Sequence, residues 1–123
     1  MSQLKSQKPY LIRALYEWCT DSEMTPHIMV FVDDHTVVPR QFVKNNQIVL
    51  NIAFSAVKDL LIDEEWITFQ ATFSGSIQDI AIPVANVTGI FARENSQGMQ
   101  FEIEPFNPTP PENKSGGGLR LVK

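Results

Sequence analysis

The stretch Trp66-Ile67-Thr68-Phe69-Gln70-Ala71-Thr72-Phe73-Ser74-Gly75-Ser76-Ile77-Gln78-Asp79-Ile80-Ala81-Ile82-Pro83 decides the fold. Over residues 66–73, Ile67, Phe69, Ala71 and Phe73 point one way and Thr68, Gln70 and Thr72 the other, the period of two that a half-buried strand requires. Ser74-Gly75-Ser76 has the composition of a hairpin turn, and residues 77–82 return as a second strand that stops at Pro83. A hairpin at this place makes the chain a β protein.

Working outward, the same pattern recurs in short pieces. Residues 27–32 form a near-continuous apolar run that ends at Asp33-Asp34. Val37-Val38 before Pro39 reads as an extended edge segment. Asn45-Asn46 is a turn, and Ile48, Leu50 and Ile52 alternate with Val49 and Asn51. Residues 55–60 read as a short helical turn and Asp63-Glu64-Glu65 as a charged turn. Residues 87–92 form a strand, Asn95 to Gly98 a turn, and Met99, Phe101 and Ile103 alternate with Gln100, Glu102 and Glu104. About six short strands with a turn every 8–12 residues point to a small barrel or sandwich rather than a βαβ sheet.

Ahead of the strands lies one helix. Pro9 suits its first turn, and Asp21-Ser22 end it. Only Arg13 and Glu17 interrupt Tyr10, Leu11, Ile12, Ala14, Leu15, Tyr16, Trp18 and Cys19. The apolar arc spans about 240°, where a helix lying on one core needs little more than ~100°. A second chain is the expected cover for the excess, so the helix reads as a dimerisation element with Tyr10, Leu11, Ala14, Leu15, Tyr16 and Trp18 at the interface.

The 123 residues suit one domain, expected over 1–104. Residues 105–118 hold four prolines and three consecutive glycines and read as a flexible linker, with a root-mean-square span of about 20 Å. Leu119-Arg120-Leu121-Val122-Lys123 then stand beyond the Gly116-Gly117-Gly118 hinge, apolar and basic, as a short motif offered to a partner. Residues 1–104 carry seven basic and thirteen acidic side chains, net −6, against +2 for the remainder. An acidic body argues against nucleic acid, whose phosphates need clustered Lys and Arg. One cysteine, Cys19, permits no internal disulfide and suits a reducing compartment. There is no apolar run of the ~18 residues that a membrane helix needs, and residues 1–8 are polar and expected to be loose. The expected location is the cytoplasm.

No catalytic constellation emerges. His27 and His35, even beside Asp33 and Asp34, match no metal-ligand spacing, and no cofactor is implied. Cys19 lacks a basic neighbour, no serine sits in a Gly-x-Ser-x-Gly elbow, and the Gly-rich run lacks a Lys-Ser/Thr. A binding module is the better class.

Several stretches together resemble the stringent starvation protein B family: residues 9–18 with Thr25-Pro26-His27, residues 47–53, residues 69–75, residues 90–95 with Gly98-Met99 and Phe101-Glu102, and the terminal pentapeptide 119–123. The resemblance implies an α+β, mainly β, Sm-like fold behind an N-terminal dimerisation helix, with a disordered C-terminal tail. It implies an adaptor, not an enzyme, for the ClpXP protease. Each subunit would hold an ssrA degradation tag in a groove, while Leu119, Arg120, Leu121, Val122 and Lys123 dock on the ClpX unfoldase. Ala71, small between Phe69 and Phe73, leaves room for a peptide. Phe73, Ser74 and Met99 would flank it, and Lys58 and Arg93 would pair with an acidic tag residue. Family linkers are typically longer and often acidic, unlike residues 105–118. The alternative class is an Sm-like RNA-binding protein, which a low-salt gel shift would distinguish. A small-molecule-binding β-barrel enzyme is a third reading, disfavoured by the missing site.

Overall fold

A computed structural model describes residues 5–106. The linker from residue 107 and the pentapeptide 119–123 lie outside the described residues. Among the described residues one α-helix, α1 (Lys8–Asp21), precedes seven strands: β1 (Pro26–Phe31), β2 (Gln47–Asn51), β3 (Lys58–Ile62), β4 (Trp66–Phe73), β5 (Ser76–Pro83), β6 (Val87–Ala92) and β7 (Gly98–Gln100). They form two antiparallel sheets, one ordered β2-β1-β6-β7 and the other β3-β4-β5. The fold is α+β and mainly β, and among the described residues the two sheets stay open rather than closing into one barrel.

The inner rows of both sheets meet in one core. Ile28, Val30, Ile48, Leu50, Val87 and Ile90 come from the first sheet, and Ile67, Phe69, Ile80 and Ile82 from the second. Ile12 of α1, fully buried, joins them, and the helix packs against β6, β1 and β3. Fully burying one such side chain stabilises by roughly 1.5–3 kcal/mol, so this shared core holds the two sheets at fixed separation. Val37 bridges to Ala81 on the free side of β5, which stitches the loop after β1 to the second sheet.

Three expectations are corrected. Residues 55–60 are not a helical turn: 54–56 form a plain turn and Lys58–Ile62 pair with β4 as the strand β3, which makes seven strands rather than six. The reason is a bulge. Asp59 takes φ 58°, and the register shifts between Lys58 and Leu61, so apolar residues do not alternate there. The strand expected over 99–104 stops at Gln100. Its pairing with β6 needs glycine, since a Cβ on Gly98 would fall onto the Ile90 carbonyl and 2.6 Å from the Phe91 Cα. Finally, residues 5–8 are held rather than loose: Lys5 Nζ lies 2.7 Å from Glu64 and Lys8 is buried.

Candidate peptide-binding groove

The β4–β5 hairpin positions the candidate groove. The strands pair over their whole length, from Trp66 opposite Pro83 to Phe73 opposite Ser76. Ser74 (φ 51°) and Gly75 (φ 85°) close them in a two-residue turn whose left-handed conformations match the twist of the strands. Along the inner row the core then thins. Ile67 and Phe69 are buried opposite buried Ile82 and Ile80. The next two positions, Ala71 opposite Gln78 and Phe73 opposite Ser76, are only half-buried.

At this margin Phe73 meets the ring of Phe42, centroids 5.5 Å apart. Phe42 comes from the 3-10 turn Arg40–Phe42 and is 41% exposed. Val43 and Val57 also lie at the rim of the core. Val57 precedes Lys58, which stands opposite Gln70, and so belongs at the Ala71 end of β4. Phe42 and Phe73 in contact, with Ala71 two residues before Phe73 on the same row and Val57 at the same end of β4, thus give an uncharged apolar margin that includes one small residue. Such a surface suits an extended peptide, which offers backbone and small side chains. Phe42, Val43 and Val57 did not emerge from the sequence as site residues. Their signal is weak: apolar residues inside segments with no strand period.

The other expected tag-contact residues are placed differently. Ser74 is exposed at the hairpin tip. Lys58, opposite Gln70, stands on the outer row, where Gln70 donates to Asp79 at 2.8 Å; this is the face of the second sheet away from Ala71. Met99 belongs to the first sheet and Arg93 to the turn that follows β6. Met99 is opposite Ile90 in β7 and 39% exposed. Arg93 follows β6, its N–H donates to the Thr25 carbonyl, and its guanidinium lies 3.7 Å from Glu94. Glu94 is itself pinned. Its carboxylate accepts from the Thr25 hydroxyl at 2.7 Å and the Thr25 N–H at 2.8 Å, and these bonds hold its pKa down at about 2.

The helix presents two faces. Ile12 and Cys19 are buried in the chain's own body, whereas Tyr10 and Ala14 are exposed and Leu11, Leu15, Tyr16 and Trp18 half-buried. Arg13 is not a simple polar stripe: its guanidinium lies over the Tyr10 ring and donates to the Ile62 carbonyl at 2.9 Å. Leu11, Leu15 and Trp18, spaced four and three apart, fall on one stripe. A cleft beside Leu11 is lined by Phe101 and Ile103, and another beside Leu15 and Trp18 by residues 96–98.

His27 stacks on Phe91 with ring centroids 5.8 Å apart, and His35 lies 3.8 Å from Asp33. Among the described residues no three His, Cys, Asp or Glu side chains gather as metal ligands. Burial, with help from Glu94, pushes the Cys19 thiol up and away from the reactive thiolate. Among the described residues no helix is long and apolar enough to cross a membrane.

Comparison with known proteins agrees with the sequence pattern. The family model described as stringent starvation protein B matches residues 6–117. A curated protein of Haemophilus influenzae, described as "Stringent starvation protein B homolog", is 40% identical over 99 residues, which is 80% of this chain and 66% of that protein. The matched part is thus just under two thirds of the relative's length.

Proposed function

The chain belongs to the stringent starvation protein B family, a family of adaptors rather than enzymes, and from that premise we propose that it carries ssrA-tagged polypeptides to the ClpX unfoldase. The single observation that supports this reading most is the inner row of β4, where the packed core gives way at Ala71 to an uncharged apolar margin shared with Phe42 and Phe73. The tag would lie extended across that margin, with Ser74 at one end. Met99 on the other sheet and Arg93 in the turn after β6 would be reached only by the far part of a longer peptide. The two-sheet body is taken as the family's Sm-like β fold, working in the cytoplasm.

The action is tethering. Weak contacts of tag with groove, pentapeptide with ClpX and tag with ClpX combine through effective concentration, without any new strong contact. No nucleotide site is required, because the unfoldase supplies the energy. A homodimer joined through the Leu11, Leu15 and Trp18 stripe would offer two tails to one unfoldase and raise the avidity. The RNA-binding alternative finds no support in a body of net charge −6.

Titrating a fluorescent ssrA peptide, and then repeating delivery assays with a chain ending at Gly118, tests this. Binding should be unchanged in the shortened chain and stimulated degradation abolished. A shortened chain that still lowers the Michaelis constant of ClpXP for a tagged substrate refutes the tether.

A further inference from the structure

After β7 the chain keeps one more bond to β6, then leaves the sheet and yet stays on the body. The Phe101 N–H donates to the Thr88 carbonyl and the Glu104 N–H to the Ala85 carbonyl, each at 2.9 Å. Ser6 Oγ donates to the Glu104 carboxylate at 3.0 Å. Phe106 sits edge-on to two rings, with centroids 5.4 Å from Trp66 and 5.5 Å from His35. Between these ends lies Lys8, 3% exposed. Its ammonium donates to the carbonyls of Ala85 at 2.9 Å, Val87 at 2.9 Å and Glu102 at 2.7 Å, and it lies 5.7 Å from the Phe101 ring centroid.

A lysine is the least expected residue in a protein interior, and it is retained there only when its donors are all used. Here the match is one N–H to each of three carbonyls. They come from three separate segments: the turn Val84–Asn86, the start of β6 and the segment after β7. No neutral side chain presents three donors from one atom, so this position is built for an ammonium. Nothing in the candidate tag groove uses this arrangement, and on the half-buried stripe of α1 only Leu11 borders it, across the cleft shared with Phe101 and Glu102.

We infer that residues 101–106 are a latched strap, clamped near its start by Lys8 at Glu102 and at its end by Phe106 in the Trp66–His35 niche, and that the strap sets the point from which the C-terminal tether starts. The six strap residues would add about 20 Å of contour if released, against about 40 Å for the twelve residues 107–118 at full extension. Whether the strap is open or shut therefore changes the reach of the pentapeptide by half. That consequence rests on the adaptor reading; the latch itself does not.

Hydrogen exchange on the full chain tests the latch. The Phe101 and Glu104 amides should be protected in the native protein. Phe106→Ala, which removes only the end contact, should speed exchange at Glu104 at least tenfold while β4 and β5 are unaffected. Lys8→Met should release Phe101 as well. Protection at these amides that is absent in the native chain, or unchanged in both variants, overturns the proposal. A delivery arm then tests the tether origin. Deleting six residues between 107 and 118 should slow delivery, and adding Phe106→Ala should restore it. Faster exchange without restored delivery overturns the role in reach. Loss of all peptide binding in the native chain would instead count against the adaptor reading, and the exchange result would stand on its own.

Discussion

Replacing Ala71 by Gln is the sharpest probe of the groove. The substitution adds four heavy atoms, a methylene and a polar amide, to the inner row of β4, just where the packed row of Ile67 and Phe69 ends. The fold should tolerate it. Ala71 is half-buried, and Gln78 stands directly opposite as a partner for the new amide, so the loss of stability should be about 1 kcal/mol or less. A peptide touching Ala71 needs heavy atoms within about 4–4.5 Å, which is the space the new side chain fills. Affinity should then fall at least about tenfold, or ~1.4 kcal/mol. Lys58→Gln is the matched control, since Lys58 is exposed and stands on the outer row with Gln70. Screening of an exposed charge should limit its effect to roughly threefold, within the ~1 kcal/mol seen for surface ion pairs. Fluorescence anisotropy with a labelled ssrA peptide reads both, alongside urea unfolding. If Ala71→Gln binds as the native chain does while Lys58→Gln fails, the peptide lies on the outer face and the groove described here is wrong.

Leu15→Asp should convert a dimer to monomers, because a carboxylate would enter the apolar stripe of α1 without a partner; sedimentation of the native chain as a monomer at every concentration would sink that idea. Gly98→Ala should cost about 1–3 kcal/mol in urea unfolding, since the new Cβ meets backbone of Ile90 and Phe91 that cannot swing aside; an unchanged midpoint refutes it. Glu94 ionises at about 2 in the folded chain against an ordinary 4.5, so its bonds to Thr25 stabilise fully above pH 4.5 and that contribution fades as pH falls toward 2. Thermal melts of Glu94→Gln should accordingly fall less steeply through that window than those of the native chain, and parallel curves would show that the pin is worth nothing.

The parts of the fold that were legible in the sequence are those with a local cause. The β4–β5 hairpin announces itself by its alternation and by Ser74-Gly75, and α1 by Pro9 and a run of apolar residues broken only by Arg13 and Glu17. What was not legible depends on residues far apart in the chain. Asp59 in a left-handed conformation breaks the period of β3, so Val57 to Ile62 reads as neither strand nor helix. Met99, Phe101 and Ile103 alternate like a strand, but beyond Phe101, whose N–H still bonds to Thr88 of β6, the chain is captured by Lys8 and Ala85 instead of by a neighbouring strand. Lys8 looks like part of a solvated end, because the three carbonyls that hold it are 77 to 94 residues away. At the candidate groove, Ala71 could be picked from the alternation of one strand, whereas Phe73 and Ser74 followed only from the family resemblance. That Lys58 stands on the opposite face required the register of two strands.

The bulge in β3 has a bearing on life among unfolded chains. A strand at the rim of a sheet carries a row of unused amides and carbonyls, and a straight one recruits any extended segment that drifts past. Here the rim is bent. Asp59 turns its backbone to φ 58°, and the ladder skips between Lys58 and Leu61. A second copy arriving edge to edge would find a kinked template and two charged side chains rather than a flat one. The kink thereby makes this edge a poor template for extending the sheet from one copy to the next.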